Sequence, residues 1–125
     1  MRDTAENDSI SLADVLRKLE RFREERDWKQ FHRPRDLAAA ISIEASELQE
    51  LFLWQKDDEI EEALEAGDLA DAVSSEIADI LIFCLYFLQD LERDPLKVIV
   101  AKLKKNRDRY PVDRARGNSQ KYTEL

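Results

Sequence analysis

Ser74–Asp90, SSEIADILIFCLYFLQD, is the stretch on which the fold turns. From Ile77 to Leu88 it is apolar almost all the way round a helical projection, which marks a central helix enclosed by others. Asp79 interrupts the run, which is in any case too short to span a bilayer. The whole chain of 125 residues holds only two glycines and three prolines. A sheet protein of this size needs many tight turns, so the scarcity favours long helices joined by a few loops. The length suits one domain with one core. The expected class is all-α.

Working outward, the pattern predicts a four-helix protein. A first helix, capped by Ser9 or Ser11 and with Asp14 in its first turn, runs to about Trp28. Leu12, Val15, Leu16, Leu19 and Phe22 form its apolar stripe. Pro34 then turns Arg33 away from helical angles and opens a second helix that reaches about Trp54. The acidic connection QKDDEIEEALEAGDLAD contains a short helix over 59–66 that stops at Gly67. The third helix covers 69–91. Asp94 and Pro95 start a fourth, which ends at Pro111. Residues 1–111 are read as one helical domain, and 112–125 as an irregular polar tail.

Two acid pairs stand out, Glu44 with Glu47 and Glu76 with Asp79. Spacing alone is weak, since 28 acids in 125 residues give about six such pairs by chance, mostly on solvated faces. Placement is more telling. At about 100° per residue, Leu37, Ile41, Leu48, Leu51 and Phe52 share one stripe of the second helix. Glu44 falls inside that stripe and Glu47 at its edge. Asp79 projects between Phe83 and Tyr86, with Glu76 one turn earlier. Acids on core-facing surfaces need protons, basic partners or a cation, because an unpaired buried carboxylate costs several kcal/mol. The second and third helices hold one base, Arg35, far from both pairs. All-oxygen ligation suits Mg²⁺, with Mn²⁺ possible, rather than Zn²⁺. A di-iron bundle would use Glu-x-x-His, and the one histidine, His32, lies outside both pairs. Mg²⁺ commonly shares its shell with substrate phosphates, which points to phosphoanhydride hydrolysis.

The net charge of −8 and pI near 4.8 weigh against a nucleic acid polymer or an anionic membrane as partner. The lone Cys84 sits in the apolar run and supports neither a disulfide framework nor a thiolate site. The first ten residues, MRDTAENDSI, are unlike a signal or transit peptide, so a cytoplasmic protein is expected.

The pairs in SIEASELQELFLW and SSEIADILIF, with the flanks ERDWKQFHRPRDLA and NRDRYP, resemble the MazG-like all-α nucleoside triphosphate pyrophosphohydrolases. The flanks and the terminal RGNSQKYTEL are similar to the dCTP pyrophosphatase branch, over roughly residues 12–125. That resemblance implies Mg²⁺ held by Glu44, Glu47, Glu76 and Asp79 as metal and catalytic residues. It implies cleavage of dCTP and modified dCTPs to the monophosphate and pyrophosphate. It further implies a homotetramer in which neighbouring subunits complete the nucleotide pocket.

Other residues take a role under the same resemblance. Trp28, Trp54 and His32 are candidates for the base, against a plain packing role at the bundle ends. Lys102, Asn106, Arg107 and Tyr110 are candidates for the phosphate or sugar side, while Lys104 and Lys105 read as solvated. Glu50 at the rim is a further candidate to orient water. Phe83 is placed in the substrate pocket, where branch members carry a tyrosine; Tyr86 is a substitute source of a hydroxyl. Leu19 is a second departure at the pocket rim. Two alternatives stay open: a broader dNTP, dUTP or phosphoribosyl-ATP pyrophosphohydrolase, and a non-catalytic helical interaction module.

Overall fold

The computed structural model describes residues 9–125; residues 1–8 of the expected domain lie outside the described residues. Five principal helices follow one another: α1 (Leu12–Glu25), α2 (Pro34–Glu50), α3 (Asp57–Ala66), α4 (Asp68–Asp90) and α5 (Pro95–Arg109). A single-turn helix α6 (Val112–Ala115) and short 3₁₀ turns at Lys29–Phe31 and Tyr122–Glu124 complete the description. No strand occurs among the described residues, so the all-α expectation holds.

Local chemistry sets most boundaries. Ser11 caps α1 through a reciprocal box, its Oγ accepting from the Asp14 N–H at 3.1 Å while its own N–H donates to Asp14 Oδ2 at 3.0 Å. α1 ends at Glu25 rather than near Trp28, because Asp27 adopts φ +52 and the Trp28 N–H turns back to the Arg23 carbonyl. Pro34 occupies the first turn of α2 behind an extended Arg33. α2 stops at Glu50, short of the expected Trp54, and Leu51–Trp54 continue as turns that finish with Trp54 at φ +65. Gly67, at φ +102, both ends α3 and starts α4, a conformation open to glycine without steric cost. Asp94 caps α5 by accepting from the Leu96 and Lys97 N–H groups.

The tail is less irregular than its composition suggests. After α6 it returns to the C-terminal end of α5, where the Tyr122 ring meets Tyr110 edge-on at 6.0 Å and lies 4.6 Å from the Arg109 guanidinium. Aromatic and cation–π contacts order a segment that carries few apolar residues of its own.

α4 is the axis of the molecule. It packs most extensively on α2, then on α3, less on α1 and least on α5. Yet the chain alone encloses little: Leu37, Tyr86 and Pro95 are buried together with Arg23. Ile77 and Leu81 of α4 stay exposed, so the central helix is covered on one side and open on another. Leu96, Ile99, Val100 and Leu103 expose an apolar face of α5. Among the described residues no helix is long and apolar enough to cross a membrane.

Candidate active site

The acids converge where α2 and α4 run side by side. Ligand oxygens of Glu44, Glu47 and Glu76 lie within 4.8 Å of one another. Glu44 and Glu47 come from successive turns of α2, and Glu76 from the facing turn of α4. Glu47 is exposed, whereas Glu44 and Glu76 each bury an Oε2 that has no hydrogen-bond partner. Buried polar atoms are nearly always paired, so two orphans in one cluster leave room for a cation. Hydrogen bonding with Glu47, then desolvation, the Glu47 charge, hydrogen bonding with Glu76 and the Asp79 charge push the Glu44 carboxyl up to about 7. Repulsion among acids raises the proton affinity of one of them, and the same potential attracts a metal. The donor set is all carboxylate, which fits a hard divalent ion.

Asp79 sits one helical turn beyond Glu76 on α4, outside the tight trio but close enough to act on Glu44. It joins the wall of an adjoining cavity of about 460 Å³. The rest of that wall is mainly apolar: Leu19 and Phe22 from α1, Trp28 and His32 from the following loop, and Phe83 and Tyr86 from α4. Asp79, Phe83 and Tyr86 fall on one α4 face at spacings of four and three. Trp28 stands edge-on to Phe22 at 5.7 Å, and the His32 ring lies 5.2 Å from Tyr86 and 6.2 Å from Phe83. His32 Nδ1 is buried without a partner. Burial and the Arg23 charge push the imidazole below its ordinary value, against Asp90 and Glu20, so the ring is neutral near pH 7.

The remaining candidates lie elsewhere in the single chain. Trp54 is 93% exposed and does not line the cavity. Lys102, Asn106, Arg107 and Tyr110 are carried by α5 and its C-cap, and none lines the cavity beside Asp79. Lys104 and Lys105 are exposed. Glu50 borders a separate shallow depression with Ser46, Gln49 and Leu53. The Tyr86 hydroxyl is already engaged, donating to the Leu19 carbonyl at 2.7 Å. It therefore does not replace a hydroxyl at Phe83.

Sequence reading passed over Arg23, which is wholly buried. Its position in the arginine- and glutamate-rich RKLERFREER reads as surface, and only the long-range partner Asp90 reveals otherwise.

A family model described as MazG-like matches residues 39–125. The chain belongs to the MazG-like family. It is 39% identical to dCTP pyrophosphatase 1 of Rattus norvegicus over 116 residues, covering 92% of this chain and 68% of that protein. The Homo sapiens dCTP pyrophosphatase 1 is 38% identical over 115 residues, with the same coverage. The crystal structure of a pyrophosphatase from Archaeoglobus fulgidus superposes with a TM-score of 0.73 at 39% identity, covering 80% of this chain and 92% of that one. The matched family region contains both acid pairs, Phe83 and all of α5; the loop with Trp28 and His32 precedes it.

Proposed function

We propose that this MazG-like protein is a pyrophosphohydrolase that converts dCTP, and modified forms of it, to dCMP and pyrophosphate, clearing the nucleotide pool in the cytoplasm. The observation that carries the reading is the junction of a carboxylate trio, in which Glu44 and Glu76 each bury an unpaired oxygen, with an apolar, aromatic-lined cavity. The former suits a metal and phosphates; the latter suits a base. Relatives named dCTP pyrophosphatase over nearly the full chain supply the substrate class.

Glu44, Glu47 and Glu76 hold Mg²⁺ or Mn²⁺, with Asp79 completing the set beside the cavity. The ion, when bound, neutralises phosphate charge and favours attack at phosphorus. Trp28 and His32 bracket the base, and Phe83 lies beneath it. Water adds to one phosphoryl group as the other leaves with the bridging oxygen of the α–β anhydride. A carboxylate oxygen at the cluster rim takes the water's proton.

The protein acts as a homo-oligomer, a tetramer in our reading. The exposed face of α5 and the absence of Lys102, Asn106, Arg107 and Tyr110 from the cavity wall within one chain support this. Lys102, Asn106, Arg107 and Tyr110 then reach phosphates or sugar held by a neighbouring subunit. Trp54 closes over the base in the same way.

The test is pyrophosphate release from dCTP, dTTP, dUTP, dATP and dGTP with Mg²⁺ and with EDTA. Metal-dependent release that is strongest with dCTP supports the assignment; none from any nucleotide ends the enzyme reading. A broader dNTP or dUTP preference is the second reading. It is favoured by Phe83 and Leu19, which present carbon where a hydroxyl or other polar group would read the substrate.

A further inference from the structure

Among the described residues, three side-chain hydrogen bonds tie α1 to α4. Arg23 Nη1 donates to Asp90 Oδ2 at 2.9 Å and Nη2 to Asp90 Oδ1 at 2.6 Å, a two-pronged clasp. Nη2 also donates to Glu20 Oε2 at 2.8 Å. The guanidinium carbon lies 4.6 Å from the centroid of the Tyr86 ring, whose hydroxyl is anchored on the Leu19 carbonyl. Tyr86 in turn packs against His32.

Part of this network borders the cavity. Leu19, His32 and Tyr86 are wall residues, and Arg23 lies behind them. α1 packs on α4 far less extensively than α2 does, so apolar contact alone fixes its position weakly. A buried ion pair adds little net stability compared with an apolar replacement, because two charges must be desolvated. What the planar fork does impose is distance and orientation at once, which a lysine ammonium does not.

We propose that Arg23 is a positioning residue for base selection: clasped to Asp90 and set against Tyr86, it fixes the gap between α1 and α4 and so the width of the cavity. This rests on the cavity being the base end of the nucleotide site. Arg23 touches no substrate and acts through Tyr86 and Leu19. The metal trio is built from α2 and α4 and does not depend on the clasp.

The experiment compares wild type with Arg23→Met, Arg23→Lys and Tyr86→Phe. Steady-state constants are measured for dCTP, dTTP, dUTP and dATP, alongside thermal melting with and without Mg²⁺. In Arg23→Met, kcat/KM for the favoured nucleotide falls by about tenfold to a hundredfold, chiefly through KM, and the ratios between bases narrow. Arg23→Lys recovers only part of the discrimination. The rise in melting temperature on adding Mg²⁺ is unchanged in each variant. Unchanged ratios between bases, with or without a lower melting temperature, would overturn the proposal and leave Arg23 as scaffold only. Should Arg23→Met fail to fold, Tyr86→Phe carries the comparison: it deletes one oxygen and the tie to Leu19, and a smaller narrowing is expected. Should wild type release no pyrophosphate, the proposed function fails, and nucleotide affinity from tryptophan fluorescence decides the inference instead. Equal affinities in wild type and variants, or no binding at all, overturn it.

Discussion

Glu44 of α2 and Glu76 of α4 meet across the helix pair, each with one buried oxygen that no protein group satisfies. Helices that pack this extensively ordinarily close over apolar side chains, so the arrangement is costly unless something else enters. The expected signature is a trade between stability and function. Glu44→Gln and Glu76→Gln each raise the metal-free melting temperature by relieving repulsion. Both abolish the stabilisation by Mg²⁺ and lower pyrophosphate release by more than about a hundredfold. A variant that melts earlier than wild type without metal, or keeps its response to Mg²⁺, contradicts the cluster's role.

The sign of the pH dependence follows from Glu44. Its ordinary value of 4.5 rises to about 7 in the folded protein, so between these limits the native state holds a proton that the unfolded chain has lost. Stability of the metal-free protein should therefore fall as pH rises from about 4.5 to about 7, then level off with respect to this group. Mg²⁺ needs the ionised carboxylate, so its stabilising effect should grow over the same interval. Thermal melts across this range, with Mg²⁺ and with EDTA, measure both slopes. Parallel curves would remove Glu44 from the ion's shell.

The helices were legible because their signals are local. Ser11 with Asp14, Pro34, Gly67, and Asp94 before Pro95 each mark a boundary through contacts within a few residues. The first helix ran too far because helical spacing says nothing of Asp27 turning to positive φ. The meeting of Glu44 with Glu76 was accessible from helical phase, since both acids interrupt apolar faces. Arg23 was not, because its burial depends on Asp90, 67 residues away. The apolar face of α5 is hidden for another reason: its residues are interleaved with lysines, of which Lys102 reads as a phosphate contact and Lys104 and Lys105 as solvated.

That α5 face yields a prediction about assembly. Val100 is 64% exposed beside Ile99, and Leu96 and Leu103 extend the patch by one turn each way. Paired substitution Ile99→Asp with Val100→Glu should shift the protein toward monomer in light scattering, because charge cannot be desolvated cheaply at an apolar interface. Activity should fall with assembly if α5 of one subunit serves the site of another. A monodisperse oligomer of unchanged mass would place the interface elsewhere.

Trp54 offers a separation of binding from folding. It is 93% exposed and held at φ +65, an uncommon backbone angle for a large side chain, at the end of the turns that follow α2. Such a residue contributes almost nothing to the packing of its own chain, so Trp54→Ala should leave the melting temperature nearly unchanged. If Trp54 stacks on the base, the variant loses about 1–3 kcal/mol of nucleotide binding, read as a rise of roughly tenfold or more in KM. The loss should be similar for pyrimidine and purine nucleotides, since every base has a face to stack, in contrast to the altered ratios expected for Arg23→Met. Trp54→Phe keeps an aromatic face and should recover much of the affinity. An unchanged KM in Trp54→Ala would exclude the exposed ring from the nucleotide site.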